Sequence, residues 1–147
     1  MNKQYYIEQL FNTFGQLHKF LDAQTQESHD ERIATFMQFS ALKFLIEKNL
    51  STVGDIAGQL KLSKSSATQL IERLVKAKLV KRMDDQKDRR IVRLTITLAG
   101  EREIINLKKK FIAKMSKILS KIPEQDLREL VRIHINLIDT LQKEQRN

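Results

Sequence analysis

Four glycines and one proline among 147 residues supply too few turn-formers for an all-β fold, which must reverse direction every few residues. The chain is therefore expected to be mainly helical, and its length suits one domain with a core of its own. Ile7, Leu10, Phe11, Phe14, Leu17 and Leu21 recur at the three- and four-residue spacing of an amphipathic helix. A second helix is expected from about Ile33 to Lys48. Thr52 followed by Asp55 has the spacing of a capping box and predicts a short helix ending near Leu60. Ser63 then caps another, in which Ala67, Leu70, Ile71 and Leu74 share one arc while Ser65, Gln69, Arg73 and Lys76 face away from it.

After Lys78 the pattern changes. Residues 79–82 (LVKR) and 91–97 (IVRLTIT) are β-rich runs, and the polar stretch from Met83 to Arg90 joins them as a projecting loop, so the pair reads as a hairpin. Helix returns from Ala99, with Ile104, Ile105, Phe111, Ile112, Met115, Ile118, Leu119 and Ile122 on its apolar stripe. Pro123 ends that helix and suits the start of the last one, which carries Leu127, Leu130, Val131, Leu137, Ile138 and Leu141. The expected order is four helices, a hairpin and two helices, with no internal repeat or long linker.

Charge is concentrated on part of this plan. The chain carries a formal charge of +9. Residues 61–93 hold 11 basic and 4 acidic side chains, against 5 and 7 in residues 1–60 and 11 and 7 in residues 94–147. A short helix, a turn, a second helix with a polar outward face and a basic hairpin together describe a helix-turn-helix with a wing, which places one helix in the major groove of DNA. Lys and Arg there neutralise phosphates, while Ser, Thr and Gln reach base edges.

Other chemistries find little support. There is no cysteine, which removes disulfides, thiol redox sensing and cysteine nucleophiles, and His18, His29 and His134 are too scattered to suggest a metal site. No nucleophile–base pair or phosphate-cradling glycine loop is visible, so neither an enzyme nor a bound cofactor is expected. No apolar run approaches the roughly 20 residues of a membrane span, and the N-terminal MNKQYYIEQL has no signal-like apolar stretch, which predicts a cytoplasmic protein without a membrane partner. The rival reading rests on residues 107–122, whose six lysines and apolar stripe also suit a helix that binds an anionic membrane or a partner protein. Lys108, Lys109 and Lys110, however, lie about 100° apart around a helix and form no single patch.

The blocks Phe39-Ser40-Ala41-Leu42, Asp55-Ile56-Ala57, Leu60-Lys61-Leu62-Ser63, residues 65–74 (SSATQLIERL), Leu79-Val80-Lys81-Arg82, Asp88-Arg89-Arg90 and Ile96-Thr97-Leu98-Ala99-Gly100 resemble the MarR (multiple antibiotic resistance regulator) family of winged-helix transcription regulators in order and spacing. Two positions depart from it. Lys78 stands where the family usually has Gly, so either a lysine takes a left-handed conformation or the helix end differs, and Gln86 stands where Pro is usual.

The resemblance implies one domain over residues 1–147, with 1–32 and 101–147 as a helical dimerisation region and 33–100 as the winged helix-turn-helix. It implies a homodimer on a pseudo-palindromic operator in double-stranded DNA and leaves room for release by a small-molecule effector. A DNA-bound dimer with no obvious activation surface blocks polymerase more simply than it recruits it, so a repressor is expected, with activation as the alternative. Terminal stripes broader than a small core can cover agree with an interface. Carried over by position, Ser65, Ser66, Thr68 and Gln69 face the groove, Lys64, Arg73 and Arg89 meet phosphates, and Arg90 enters the minor groove braced by Asp88. Plainer roles stand beside these: Ser63 as a cap, Asp88 with Arg89 and Arg90 as a surface ion-pair loop, His134 as a satisfied core or interface histidine, and Phe36, Met37, Phe39 and Phe44 as packing.

Overall fold

The structure, a computed structural model, describes residues 2–25 and 28–146. Met1, Gln26, Glu27 and Asn147, which the sequence assigns to the terminal helical regions, lie outside the described residues. In chain order the elements are α1 (Lys3–Thr25), α2 (His29–Glu47), α3 (Val53–Leu60), α4 (Lys64–Lys76), β1 (Val80–Asp84), β2 (Val92–Ile96), α5 (Leu98–Leu119) and α6 (Glu124–Arg146). The order matches the expected one.

Local chemistry sets most of the helix starts. Asn2 Oδ1 accepts the Tyr5 N–H at 3.1 Å and opens α1. Ser28 and Glu31 form a reciprocal capping box, which starts α2 at His29, four residues before the expected Ile33. Thr52 and Asp55 form the second box at the head of α3, and Ser63 Oγ accepts the Ser66 N–H at 3.1 Å to open α4. Lys78 takes the left-handed conformation, with φ 61°. The glycine-like helix end is thus kept without glycine.

The chain divides into two compact units, residues 1–109 and residues 110–147. In the first unit, Ala41, Leu42 and Leu45 of α2, Ile56 of α3, Leu70, Ile71 and Leu74 of α4, Val80 of β1 and Leu94 of β2 form one buried cluster. Met37 and Phe44 pack against it, while Phe36 is exposed rather than packed. β1 and β2 are antiparallel, with Val80 opposite Ile96 and Asp84 opposite Val92. Met83 and Asp84 therefore belong to the strand and not to the loop. Ser51, itself buried, adds a short bridge to Leu94 beside the hairpin.

Gly100 locks the start of α5 to this core. A Cβ there would lie 2.2 Å from the Leu79 carbonyl oxygen, so only glycine permits the approach. Thr97 completes the join by donating its hydroxyl to the Lys78 carbonyl at 2.7 Å and accepting the Gly100 N–H at 3.1 Å.

The second unit holds the end of α5, the turn at residues 120–123 and α6. Pro123 precedes α6, and its carbonyl accepts the N–H of Leu127 at 3.1 Å, so it stands at the cap. Leu130, Val131, Leu137, Ile138 and Leu141 are all exposed along α6.

Candidate nucleic-acid interface

Two groups of side chains carry the candidate site. The first is the outward side of α4. Ala67, Leu70, Ile71 and Leu74 are buried, and that burial fixes which side of the helix turns to solvent. Lys64, Ser65, Gln69, Arg73 and Lys76 are all exposed there. Gln69, Glu72, Arg73 and Lys76 line one shallow depression. Arg73 and Ser66 also border a second, of about 280 Å³, whose floor includes Ile33 and Met37 of α2 and Leu62 and Leu70 beside them.

The hydroxyls on α4 are not equivalent. The Ser66 Oγ accepts a hydrogen bond from the Ser63 hydroxyl at 2.9 Å. Thr68 is half-buried and donates its hydroxyl to the Lys64 carbonyl at 2.8 Å. Both side chains thus have partners within the helix start. Ser65 and Gln69, one turn apart, present their polar groups outward on the exposed side.

The second group is the wing loop between Asp84 and Val92, built around two carboxylates. Asp85 Oδ1 accepts the N–H groups of Lys87 and Asp88 at 2.8 and 3.0 Å. Asp88 Oδ1 accepts the Arg90 N–H at 3.0 Å, and the Asp88 carbonyl accepts the Ile91 N–H at 2.9 Å. These Asx-type turns close the loop, so Gln86 need not supply the rigidity that a proline would.

At the tip, Arg90 Nε and Nη2 meet the two oxygens of Asp88, each at 3.0 Å. The Arg90 side chain is 90% exposed yet oriented by this fork. A guanidinium has five N–H donors, so the pairing leaves donors free to bind an acceptor beyond the loop. Hydrogen bonds from Arg90 hold the Asp88 carboxyl below its usual range, and the same contact raises the Arg90 guanidinium above its own. Both stay charged at neutral pH. Arg89 is exposed beside them.

Asp85 and Arg93 did not stand out in the sequence. Arg93 Nε donates to Asp85 Oδ2 at 2.7 Å. That bond first, and then the two loop N–H groups, draw the Asp85 carboxyl down to about 2. A signal existed, since Arg93 lies opposite Met83 and Asp85 stands two residues further along the same face. It becomes readable only once the hairpin register is known.

The remaining candidates are simpler. His134 is exposed on α6, with Nδ1 2.8 Å from the Leu130 carbonyl. Lys108, Lys109 and Lys110 are exposed on successive positions of α5. Among the described residues no helix is long and apolar enough to cross a membrane.

Residues 35–91 match the sequence profile of the MarR family. YsmB of Bacillus subtilis, described as an uncharacterized HTH-type transcriptional regulator, is 37% identical over 81 residues, which are 53% of this chain and 56% of that protein. YpoP of the same organism, described in the same terms, is 33% identical over 50% of this chain and 52% of its own. The chain thus spans about half the length of the curated relatives it matches. The crystal structure of YusO from Bacillus subtilis shares the fold over 95% of this chain and 99% of its own, with TM-score 0.71 at 22% identity. Residues 35–91, which hold α3, α4, β1 and the wing loop, are thus similar to the MarR family, and the chain shares the fold of YusO.

Proposed function

We propose that this chain is a sequence-specific DNA-binding transcriptional regulator that acts as a homodimer on a pseudo-palindromic operator and represses by occluding a promoter. The observation that carries the reading is Arg90, exposed at the wing tip and held by the Asp88 fork. An oriented, exposed arginine on a thin hairpin suits a narrow minor groove, whose enhanced negative potential attracts it. Ser65 and Gln69 on the exposed side of α4 offer donors and acceptors for base edges, with Lys64, Arg73 and Arg89 for phosphates.

Dimerisation is supported by the exposed aromatic and aliphatic side chains of α1, which lies within residues 1–32, and of α6, which lies within residues 101–147. The limits of the proposed DNA-binding region, 33 and 100, fall inside α2 and α5, so the two regions share helices. A small effector in the depression between α2 and α4 would meet Ser66 and Arg73 and compete with DNA directly. Such a ligand releases DNA only if it binds the free protein more tightly than the complex.

The test is fluorescence anisotropy against duplex DNA from upstream of its own gene, across a salt series and beside a scrambled duplex. The expected result is saturable preference for the native duplex, with affinity falling steeply with log salt. Equal binding to both duplexes contradicts sequence specificity. Indifference to DNA with strong uptake by anionic vesicles would favour the membrane reading instead.

A further inference from the structure

The wing is fastened to the segment that joins α2 to α3. Besides its bond to Asp85, Arg93 donates through Nη1 to the Leu50 carbonyl at 3.3 Å. Thr95 Oγ1 donates to Asn49 Oδ1 at 2.8 Å, and the Leu94 N–H donates to the Ser51 carbonyl at 2.7 Å. Residues 49–51 thus run beside β2 as a short third edge, with Leu50 in the left-handed conformation at φ 59°. A β-branched or aliphatic side chain rarely holds that backbone without surrounding contacts that fix it.

Asp85 sits at the junction. One of its oxygens holds Arg93, and the other shapes the loop from which Asp88 and Arg90 project. The exposures separate the two ion pairs of the wing. Arg93 and Asp85 are 30% and 16% exposed, whereas Arg90 at the tip is 90% exposed. A partly shielded, hydrogen-bonded pair is less weakened by water and salt than a fully exposed one. Arg93 also directs two of its donor groups inward, one to a carboxylate and one to a backbone carbonyl.

We infer that Asp85 and Arg93 are positioning residues for DNA recognition: together they set the direction in which the wing presents Arg90 and tie that direction to the Asn49–Ser51 segment at the end of α2. The inference rests on the DNA-binding reading of the wing. The competing role for Arg93 is that of one more cation meeting phosphate on its own account. The two roles differ in how Arg93 combines with Arg90. A strut that acts through Arg90 has nothing left to position once that guanidinium is gone, whereas an independent phosphate contact loses its share regardless.

The experiment has two arms on the full chain. Because the chain has no cysteine, Lys87→Cys gives a single attachment point for a nitroxide at the wing tip. In DNA-free protein, Arg93→Gln and Asp85→Asn are expected to raise the label's mobility, with Arg93→Lys restoring part of the order, while circular dichroism reports an intact helical fold. Unchanged mobility in both variants would overturn the inference. In the second arm, affinity for the upstream duplex is measured for wild type, Arg90→Ala, Arg93→Gln and the double variant. The expected result is a loss of about tenfold for Arg90→Ala, a smaller loss for Arg93→Gln, and a double variant no weaker than Arg90→Ala alone. Losses that multiply would make Arg93 an independent contact and defeat the positioning role. An Arg90→Ala variant that binds as wild type would instead defeat the DNA-binding reading of the wing, and the inference with it.

Discussion

Lys78 occupies a backbone conformation that glycine adopts more readily. Its N–H bonds the Val75 carbonyl and the following Leu79 N–H bonds the Leu74 carbonyl, each at 2.9 Å, which is the Schellman pattern for closing a helix. The helix end is made by the hydrogen bonds, and the lysine bears the steric cost of its Cβ. Lys78→Gly is expected to raise stability in urea titrations by about 0.5–1 kcal/mol, and a loss would mean that the lysine side chain has a stabilising partner. Gly100→Ala should go the other way by about 1–3 kcal/mol, because its Cβ meets a backbone oxygen that has nowhere to move. The residues proposed to face DNA should separate by kind. Gln69→Ala should relax base choice at about 1–3 kcal/mol per lost contact, whereas Arg90→Ala should weaken binding and flatten preference for A·T-rich flanks; parallel binding titrations on a panel of duplexes distinguish the two patterns. The sequence left both options open at Lys78, since a lysine at a helix end says nothing of its own φ.

The helices and the wing differ in how much of them the sequence disclosed. The starts of α3 and α4 were legible to the residue because Thr52, Asp55 and Ser63 are caps, and the buried side of α4 was legible from its helical spacing. The Ser28–Glu31 box was equally present, yet polarity before Ile33 obscured it and the start of α2 was set too late. The wing was harder. Met83 and Asp84 look like loop residues because a projecting strand is exposed on both faces and shows no alternation. Its carboxylates give it a pH signature. Asp85 is held at about 2 by Arg93 and loop N–H groups, Asp88 is lowered by Arg90, and Asp55 and Glu31 are lowered chiefly by the N–H groups of Thr52 and Ser28. In each case the folded value lies below the unfolded one near 4, so the contribution is complete above about pH 4–5 and is lost as pH falls through the folded values. Thermal melts are expected to show these groups adding nothing to pH dependence between pH 7 and 5.5, then a decline towards pH 2 that Asp85→Asn makes shallower. A decline of the same depth in Asp85→Asn would remove Asp85 from the account.

At the scale of the whole molecule, sequence and fold agree to different extents along the chain. The fold shared with YusO runs almost end to end, whereas the family match is confined to the centre. A DNA-reading module must keep particular side chains at particular positions, but an apolar stripe on a terminal helix needs only suitable volume at the right spacing. The sequence therefore disclosed the stripes of α1 and α6 without their destination. Phe11 is 82% exposed and Phe14, Leu10 and Phe20 are exposed on the same helix, which is more apolar surface than a free helix carries without a partner. Phe11→Glu is expected to shift the protein from dimer towards monomer in light scattering, with its helical content retained; an unchanged dimer would place the interface elsewhere. A symmetric dimer in turn constrains the DNA, since two lobes with one wing each read half-sites about one helical turn apart. The most direct test is hydroxyl-radical footprinting on a duplex selected from a random pool. Two protected clusters related by a pseudo-twofold axis are expected, flanked by minor-groove protections that vanish in Arg90→Ala while the central clusters persist. Protection without symmetry, or a pattern that Arg90→Ala leaves intact, would contradict binding as a symmetric dimer through the wing.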